Sequence, residues 1–319
     1  MVANNIKDNI AVIEKLKIKF NQVVDELAQV DLQKSIEDFK NIVKKLEEIY
    51  PTVYKNSASY QYSFIDTINC IAYLLYLKNY HLNLDKVVSS ITPILSRSYY
   101  FLGFCFLHEQ DLDNAKRNFT KAIYWNPFFP EAHYEIARVF QKKGRLKMAY
   151  QEVITGLRKS YHPKFLTNGY NLLAEMFLEL GFLEESYICL IKNDQYKKYN
   201  DEEFRTSQLL FRTIEKMRKQ DIFEYIFLQT DQFNIEKHLA DIGIPNKVES
   251  YYSNAYFDFG LNQLRQGNMK NSISYFIDAY EIDPQNQSIV EMICDLLEKT
   301  KNYELYSDFI KIKKEMENN

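Results

Sequence analysis

Apolar side chains recur every three or four residues along most of this 319-residue chain, a spacing that predicts amphipathic α-helices. The pattern is clearest between Tyr99 and Pro127. Its core positions are Tyr99, Leu102, Gly103, Phe106, Ala115, Phe119 and Ala122. The first four lie on one face of a helix, and the last three lie on one face of a second helix. Pro127 disfavours helical backbone at Asn126, so the second helix is predicted to end there.

The same order of small and bulky residues returns twice at a period near 34 residues, and a further copy follows after an intervening segment. The second copy comprises His133, Ile136, Ala137, Phe140, Ala149, Val153 and Gly156; the third comprises Tyr170, Leu173, Ala174, Phe177, Ser186, Leu190 and Asn193; the fourth comprises Tyr256, Phe259, Gly260, Ser272, Phe276, Ala279 and Pro284. Small residues let two helices approach closely, and the bulky residues fill the space beside them. The copies therefore predict a series of stacked helix pairs.

This arrangement resembles the tetratricopeptide-repeat signature, in which an aromatic residue, a Leu-Gly pair and a second aromatic precede Ala-x3-Phe and a closing Pro. The copy from Tyr99 to Pro127 fits these positions, whereas His133 and Gln263 stand where an aromatic is usual. The resemblance implies two antiparallel helices per unit and an all-α fold, a right-handed α-solenoid of helix pairs.

The first 95 residues carry a different pattern. Two heptad-like seams, from Ile13 to Val30 and from Leu32 to Tyr50, predict an N-terminal helical hairpin with Asp31 as the N-cap of its second helix. A further helix pair is expected over 63–77 and 84–95. This part of the chain is therefore interpreted as an N-terminal helical bundle, with degenerate repeats as the alternative.

The remaining boundaries follow the phase of the repeats. The predicted domains are 96–200 with three consecutive repeats, 201–252 with a degenerate repeat and a helical insertion, 253–286 with the fourth repeat, and 287–319 with C-terminal capping helices. The first helix of the degenerate repeat is expected to carry Phe204, Phe211, Ile214 and Met217. Residues 222–228 then form either its partner helix or a short buried strand, and 233–242 form an extra helix.

Charge and hydropathy narrow the classes of partner. Lys and Arg total 40 against 43 for Asp and Glu, and this net charge of −3 disfavours a nucleic-acid surface. The basic cluster of Arg212, Lys216, Arg218 and Lys219 neighbours Glu215 and is interpreted as a salt-bridged surface helix. No secretory pattern and no apolar run of about 18 residues is present, so we expect no membrane partner and a cytoplasmic location.

The sequence carries no recognisable catalytic or metal-binding signature. The motifs GxxxxGK[ST], GxGxxG, HExxH and GxSxG are absent, and no two of the five histidines share the i, i+4 spacing of a metal site. The four cysteines are scattered and are expected to be reduced thiols. We therefore expect no cofactor, no metal and no enzymatic activity, with an unrecognised active site as an alternative.

A binding site is implied by the resemblance alone. In the resembled family, the first helices of successive repeats line a concave groove that holds the partner. Carried over to this chain, the partner-binding residues are Tyr100, Phe104, Tyr134, Arg138, Asn171 and Glu175. Each is offset from the core positions, so its side chain is expected to be free of the intra-repeat core. The competing interpretation is that Tyr100 and Phe104 pack against the N-terminal helices.

These expectations lead to a non-catalytic scaffold that binds a peptide or a partner helix in the groove of its repeats. The alternative is a peptide-sensing regulator, because a helical bundle ahead of a repeat array resembles bacterial Rap-type regulators in architecture. Fold alone does not decide between them. The sequence leaves the identity of the partner and the oligomeric state open.

Overall fold

The computed structural model describes residues 2–27, 32–50, 59–82, 87–196, 198, 203–230 and 232–317. Across these residues the fold is all-α, as predicted, with one pair of short strands. The chain divides into two compact units. Unit 1 comprises Met1–Lys159 and Leu172–Phe182, and unit 2 comprises Ser160–Asn171 and Leu183–Asn319. One helix contributes its first half to unit 2 and its second half to unit 1.

The helices and strands are numbered in chain order. Unit 1 contains α1 (Val2–Glu26), α2 (Leu32–Ile49), β1 (Ser59–Tyr62), α3 (Thr67–Asn79), β2 (Val87–Ser90), α4 (Ile94–His108), α5 (Leu112–Trp125), α6 (Pro130–Lys142) and α7 (Leu146–Arg158). The helix shared by the two units is α8 (Lys164–Leu180). Unit 2 continues with α9 (Leu183–Asp194), α10 (Glu203–Lys219), α11 (Phe223–Gln229), α12 (Gln232–Asp241), α13 (Tyr251–Arg265), α14 (Met269–Ile282), α15 (Gln287–Lys299) and α16 (Tyr303–Glu317).

The predicted helix pairs are present, and their small residues mark the places where side chains press directly on a neighbouring backbone. In the α4–α5 pair, a Cβ added at Gly103 would lie 2.8 Å from the Phe119 ring. In the α13–α14 pair, a Cβ at Gly260 would lie 2.5 Å from Phe276. Both phenylalanines are fully buried. Since no real Cβ tolerates such distances, glycine is required at both positions by packing rather than by backbone conformation.

A common turn ends many of the first helices. The second residue after the helix adopts a positive φ, and the N–H of the residue that follows it donates to the carbonyl five residues earlier, which is the Schellman arrangement. Glycine supplies this φ at Gly144 and Gly267, among others. Non-glycine residues supply it at His81, Gln110, Asp221 and Lys301. The chain can therefore build short inter-helix turns although it contains only 8 glycines.

The predicted N-terminal hairpin corresponds to α1 and α2, which pack against α4 in unit 1. Their rings interlock: Phe20 and Phe39 each lie 5.8 Å from Phe101, the Phe39 pair being stacked. Tyr99 on α4 donates a short hydrogen bond from its hydroxyl to Glu47 on α2 and accepts one from Lys121 at 3.1 Å. The hairpin and the first repeat therefore share one core. The predicted N-cap Asp31 lies outside the described residues.

The expected helix over 84–95 is wrong. Val87–Ser90 form strand β2, which pairs in parallel with β1, and α4 begins only at Ile94. Residues 83–86 lie outside the described part of the chain. Two physical features explain the break: β-branched valines favour extended backbone, and Pro93 disfavours helix at the residue before it. Ser63, directly after β1, bonds to α4, since its hydroxyl accepts a hydrogen bond from the Ser96 backbone N–H at 2.9 Å.

The segment between the third and fourth repeats is helical in unit 2. The open alternative at 222–228 resolves as helix α11, and the extra helix is α12. However, the buried stripe of α10 consists of Thr206, Leu209, Thr213 and Met217. Phe204 and Phe211, which were expected on that stripe, are 76% and 69% exposed. The buried stripe faces α9, and its Thr213 hydroxyl is hydrogen-bonded to that of Ser186 on α9 at 3.1 Å.

Removing a side chain from a left-handed turn tests the role of these turns. We expect Asp221→Gly to raise the free energy of unfolding by about 0.5–1 kcal/mol. A left-handed φ costs a residue with a Cβ roughly 1–2 kcal/mol, and glycine avoids this cost. The net gain is smaller because glycine also has more conformational freedom in the unfolded chain. Gln220→Gly, one position earlier and outside the positive-φ region, should lower stability. Urea unfolding measures both changes, and equal effects of the two substitutions would contradict this account.

At Gly260, close packing leads us to expect that adding a methyl group destabilises the protein. Gly→Ala inside a helix normally stabilises by about 1 kcal/mol. Here we expect Gly260→Ala to destabilise by about 1–3 kcal/mol, because the Phe276 ring must move. Ser274→Ala, on the exposed face of α14, is the matched control and should stay within about 0.5 kcal/mol of wild type. Thermal unfolding of both variants gives the comparison.

Candidate protein-interaction site

The first helices of successive repeats lie side by side in unit 1. Helix α4 contacts α6, and the Tyr100 ring on α4 lies 5.1 Å from Phe129, the residue that precedes α6. Helix α6 in turn reaches the second half of α8, where the Gln141 amide donates to Glu179 at 3.3 Å. These helices therefore form one continuous surface, called the first-helix surface below, which consists of α4, α6 and residues 172–180 of α8.

Tyr100 and Phe104 lie one turn apart on α4, and both are half-buried. Tyr100 packs within unit 1 against Phe101 and Phe119 as well as Phe129. Phe104 makes a ring contact with His108, at 4.4 Å between centroids. The Phe101 ring contacts Phe20 and Phe39 of the N-terminal helices, and Tyr100 packs against the same cluster. Tyr100 packs against the core that the N-terminal helices share with α4, as the competing interpretation allows, whereas Phe104 lies outside that core.

The expectation that Tyr134 is free of the core is wrong, since only 1% of it is exposed. A Cβ at Gly156 on α7 would lie 2.4 Å from the Tyr134 ring. The second repeat thus reverses the arrangement of the first, because here the first helix supplies the ring and the second helix supplies the glycine. Tyr134 consequently supports the α6–α7 pair from inside.

Asn171 is also buried, with none of its surface exposed, and the expectation that its side chain is free is wrong. Its Oδ1 accepts hydrogen bonds from Asn193 Nδ2 at 2.8 Å and from Thr206 Oγ1 at 2.9 Å. All three side chains belong to unit 2. Buried amides require such partners, so Asn171 ties α8, α9 and α10 together.

Arg138 and Glu175 remain half-buried on α6 and α8. The Arg138 guanidinium lies 3.4 Å from Glu135, one turn earlier on the same helix, and both side chains are less than one-fifth exposed. The first-helix surface therefore presents an ion pair, so the positive charge of Arg138 is already matched by a carboxylate.

A second polar arrangement joins α6 and α7 in unit 1, and we refer to it as the Glu–His–Lys triad. His133 Nδ1 lies 2.8 Å from Glu152 Oε2, and Lys159 Nζ lies 3.1 Å from His133 Nε2 and 2.8 Å from the Pro127 carbonyl. Sequence reasoning identified His133 only as a departure from the usual aromatic. Glu152 and Lys159, seven residues apart and so on one helix face, were the signal that was missed.

Burial shifts the titration of two members of the triad. Desolvation lowers the pKa of His133, although the hydrogen bond to Glu152 opposes this, and the Lys159 charge lowers it further. Burial likewise lowers the pKa of Lys159 to about 8, against the opposing attraction of Glu152. The folded protein thus favours a neutral imidazole between a carboxylate and an amine.

The described residues also bear on metal sites, membrane spans and disulfides. No group of three or more His, Cys, Asp or Glu side chains lies where it could hold a metal ion. None of the described helices is long and apolar enough to span a bilayer. All four cysteines are free, with Cys105, Cys189 and Cys294 buried.

Comparison with known proteins agrees with the repeats. The tetratricopeptide-repeat family matches residues 96–129 and 253–286, which are the first and fourth copies. No curated protein matches the chain. Similar solved structures include PilF of Pseudomonas aeruginosa, with 18% identity over 69% of this chain and 76% of that one and a TM-score of 0.27. A tetratricopeptide-repeat protein of Thermus thermophilus has 19% identity over 63% and 98%, with a TM-score of 0.34.

The MamA protein is a further similar structure, with 13% identity over 70% of this chain and 92% of that one and a TM-score of 0.26. All three scores are below 0.5, so the assignment rests on the matched repeats and their packed cores. The chain therefore carries tetratricopeptide repeats at 96–129 and 253–286, and repeats of this class generally bind other proteins.

The Glu–His–Lys triad predicts a pH dependence of stability. The pKa of His133 is depressed below the value of about 6.5 in the unfolded chain, so the unfolded state binds the proton first. The contribution of His133 to stability should therefore be fully present above about pH 6.5 and decline as the pH falls towards the folded pKa. In His133→Gln this part of the decline should vanish. His108→Gln, at an exposed histidine, should leave the wild-type profile unchanged when melting temperatures are compared from pH 8 to 5.

Proposed function

We propose that this chain is a non-catalytic protein-interaction scaffold and that a partner peptide or helix docks on the first-helix surface of unit 1. The family supports a protein-interaction role in general. The observation that carries the location is the pair of half-buried rings, Tyr100 and Phe104, on a helix that packs beside the one bearing Arg138. Aromatic residues and arginine are the commonest energetic anchors of protein interfaces.

The proposed contacts fall into two groups. Tyr100 and Phe104 provide apolar area at little entropic cost, because much of each ring is already held by neighbouring rings. Arg138, Glu135 and Glu175 provide polar contacts and set the orientation of the partner. Tyr134 acts indirectly in this proposal, since it is buried and supports the α6–α7 pair, whereas Asn171 is buried in unit 2 and takes no part in the proposed contacts.

The regulator hypothesis requires the N-terminal helices to move as a separate body. Residues of α1 and α2, including Phe20 and Phe39, are buried in the same cluster as Tyr99 and Leu102 on α4. Separating them would expose that shared core, so the scaffold hypothesis requires fewer rearrangements.

Truncating the anchors tests the scaffold proposal. Affinity enrichment from the native organism, quantified by mass spectrometry, should recover a set of proteins with the wild-type chain. For Phe104→Ala combined with Arg138→Ala, we expect recovery of the direct partner to fall at least tenfold, because loss of one interface anchor costs about 1–2 kcal/mol or more.

The matched control is Phe211→Ala, which removes an exposed ring from α10 in unit 2. It should leave recovery unchanged. Circular dichroism and thermal unfolding establish that both variants are folded. Recovery that persists in the double variant, or that is lost in the control instead, would place the docking site elsewhere.

A further inference from the structure

The Glu–His–Lys triad has the order of groups that activates a nucleophile. A carboxylate only accepts hydrogen bonds, so the 2.8 Å contact with Glu152 places the proton of a neutral His133 on Nδ1. The lone pair of Nε2 then faces Lys159 Nζ, 3.1 Å away. In hydrolytic triads the same sequence of carboxylate, imidazole and nucleophile serves a hydroxyl group. Here the terminal group is an amine.

Position and burial fit this role. The His133 side chain is 8% exposed, whereas that of Glu152 is 29% exposed and Lys159 is only half-buried. The imidazole is thus held inside the repeat, and the side chain that brings the amine to it comes from Lys159, the residue directly after α7. Lys159 also donates to the Pro127 carbonyl at 2.8 Å, which holds Nζ in place.

The protonation of Lys159 supports a reactive amine. Burial lowers its pKa to about 8. At pH 7.5 roughly a quarter of such amines are neutral, compared with about 0.1% of ordinary lysines. Only the neutral form can attack a carbonyl carbon.

We propose that Lys159 is an acylation site, at which the amine takes an acyl group from an activated donor such as a thioester, with His133 as the general base and Glu152 as its positioning residue. This goes beyond the scaffold function and does not depend on it. In the step, the Nζ lone pair attacks the thioester carbonyl and forms the C–N bond. The Nζ proton passes to His133 Nε2, the C–S bond breaks, and the departing thiolate takes that proton. The products are an amide and a thiol, with no change of oxidation state.

The test uses the full chain and S-acetyl-N-acetylcysteamine as the thioester. Peptide mapping by mass spectrometry gives the initial rate of acetylation at each lysine at pH 7.5. We expect Lys159 to react about tenfold faster than Lys121, since the larger neutral fraction outweighs the lower basicity and the partial burial. Lys121 is a suitable comparator because its Nζ also donates to a side chain, Tyr99 Oη at 3.1 Å, but to no imidazole.

Two further measurements separate this proposal from a purely structural tie. In the wild-type chain, the rate at Lys159 should level off above about pH 8, whereas the rates at ordinary lysines should rise towards their pKa of about 10.4. His133→Gln keeps a hydrogen-bond acceptor but removes the base, and should lower the rate at Lys159 about tenfold or more. Glu152→Gln should lower it less.

The results that would overturn the proposal are equally definite. A rate at Lys159 no greater than that at Lys121 would end it, as would a fast rate that is unchanged in folded His133→Gln. If that variant does not fold, the wild-type pH profile decides the question, and a rate that keeps rising to pH 10 counts against the proposal.

Discussion

The fold depends on the contact between a glycine of one helix and an aromatic ring of its partner. Gly103 faces Phe119, Gly156 faces Tyr134, and Gly260 faces Phe276, each at a distance that excludes a Cβ. The glycine lets the backbones approach, and the ring fills the space and fixes their relative position. Because each contact lies inside one helix pair, each of these three repeats carries its own interlock.

The direction of this interlock also decides which side chains are available for binding. In the first repeat the ring comes from the second helix, so Tyr100 and Phe104 on the first helix stay at the surface. In the second repeat the ring comes from the first helix, and this ring, Tyr134, is buried in the core. A side chain on the first helix of a repeat is therefore available to a partner only where it is not already buried in the glycine–ring contact of that repeat.

Buried polar groups form a second layer of constraint. The Glu–His–Lys triad joins α6 to α7, and Lys192, only 2% exposed, pairs with Glu236 at 3.1 Å to hold the inserted helix α12 against α9. Such pairs add little net stability, but breaking one leaves an uncompensated charge inside the protein. They consequently restrict the helices to one arrangement, and in the triad the same restriction aligns an amine with a base.

The sequence by itself determined the all-α class, the helix pairs and their core positions. The spacing of apolar residues and the sizes of their side chains are properties of the local sequence, so they can be read without knowing which helices pack together. It also located α11 and α12, although it could not choose between helix and strand for α11, since a short apolar run lacks periodicity. Only the tertiary structure decided that Phe204 and Phe211 face outward, that 87–90 form a strand, and that Tyr134 and Asn171 are buried. These outcomes depend on which neighbour reaches each side chain, and His133 met Glu152 and Lys159 for the same reason: residues far apart in sequence become neighbours only when the helices pack.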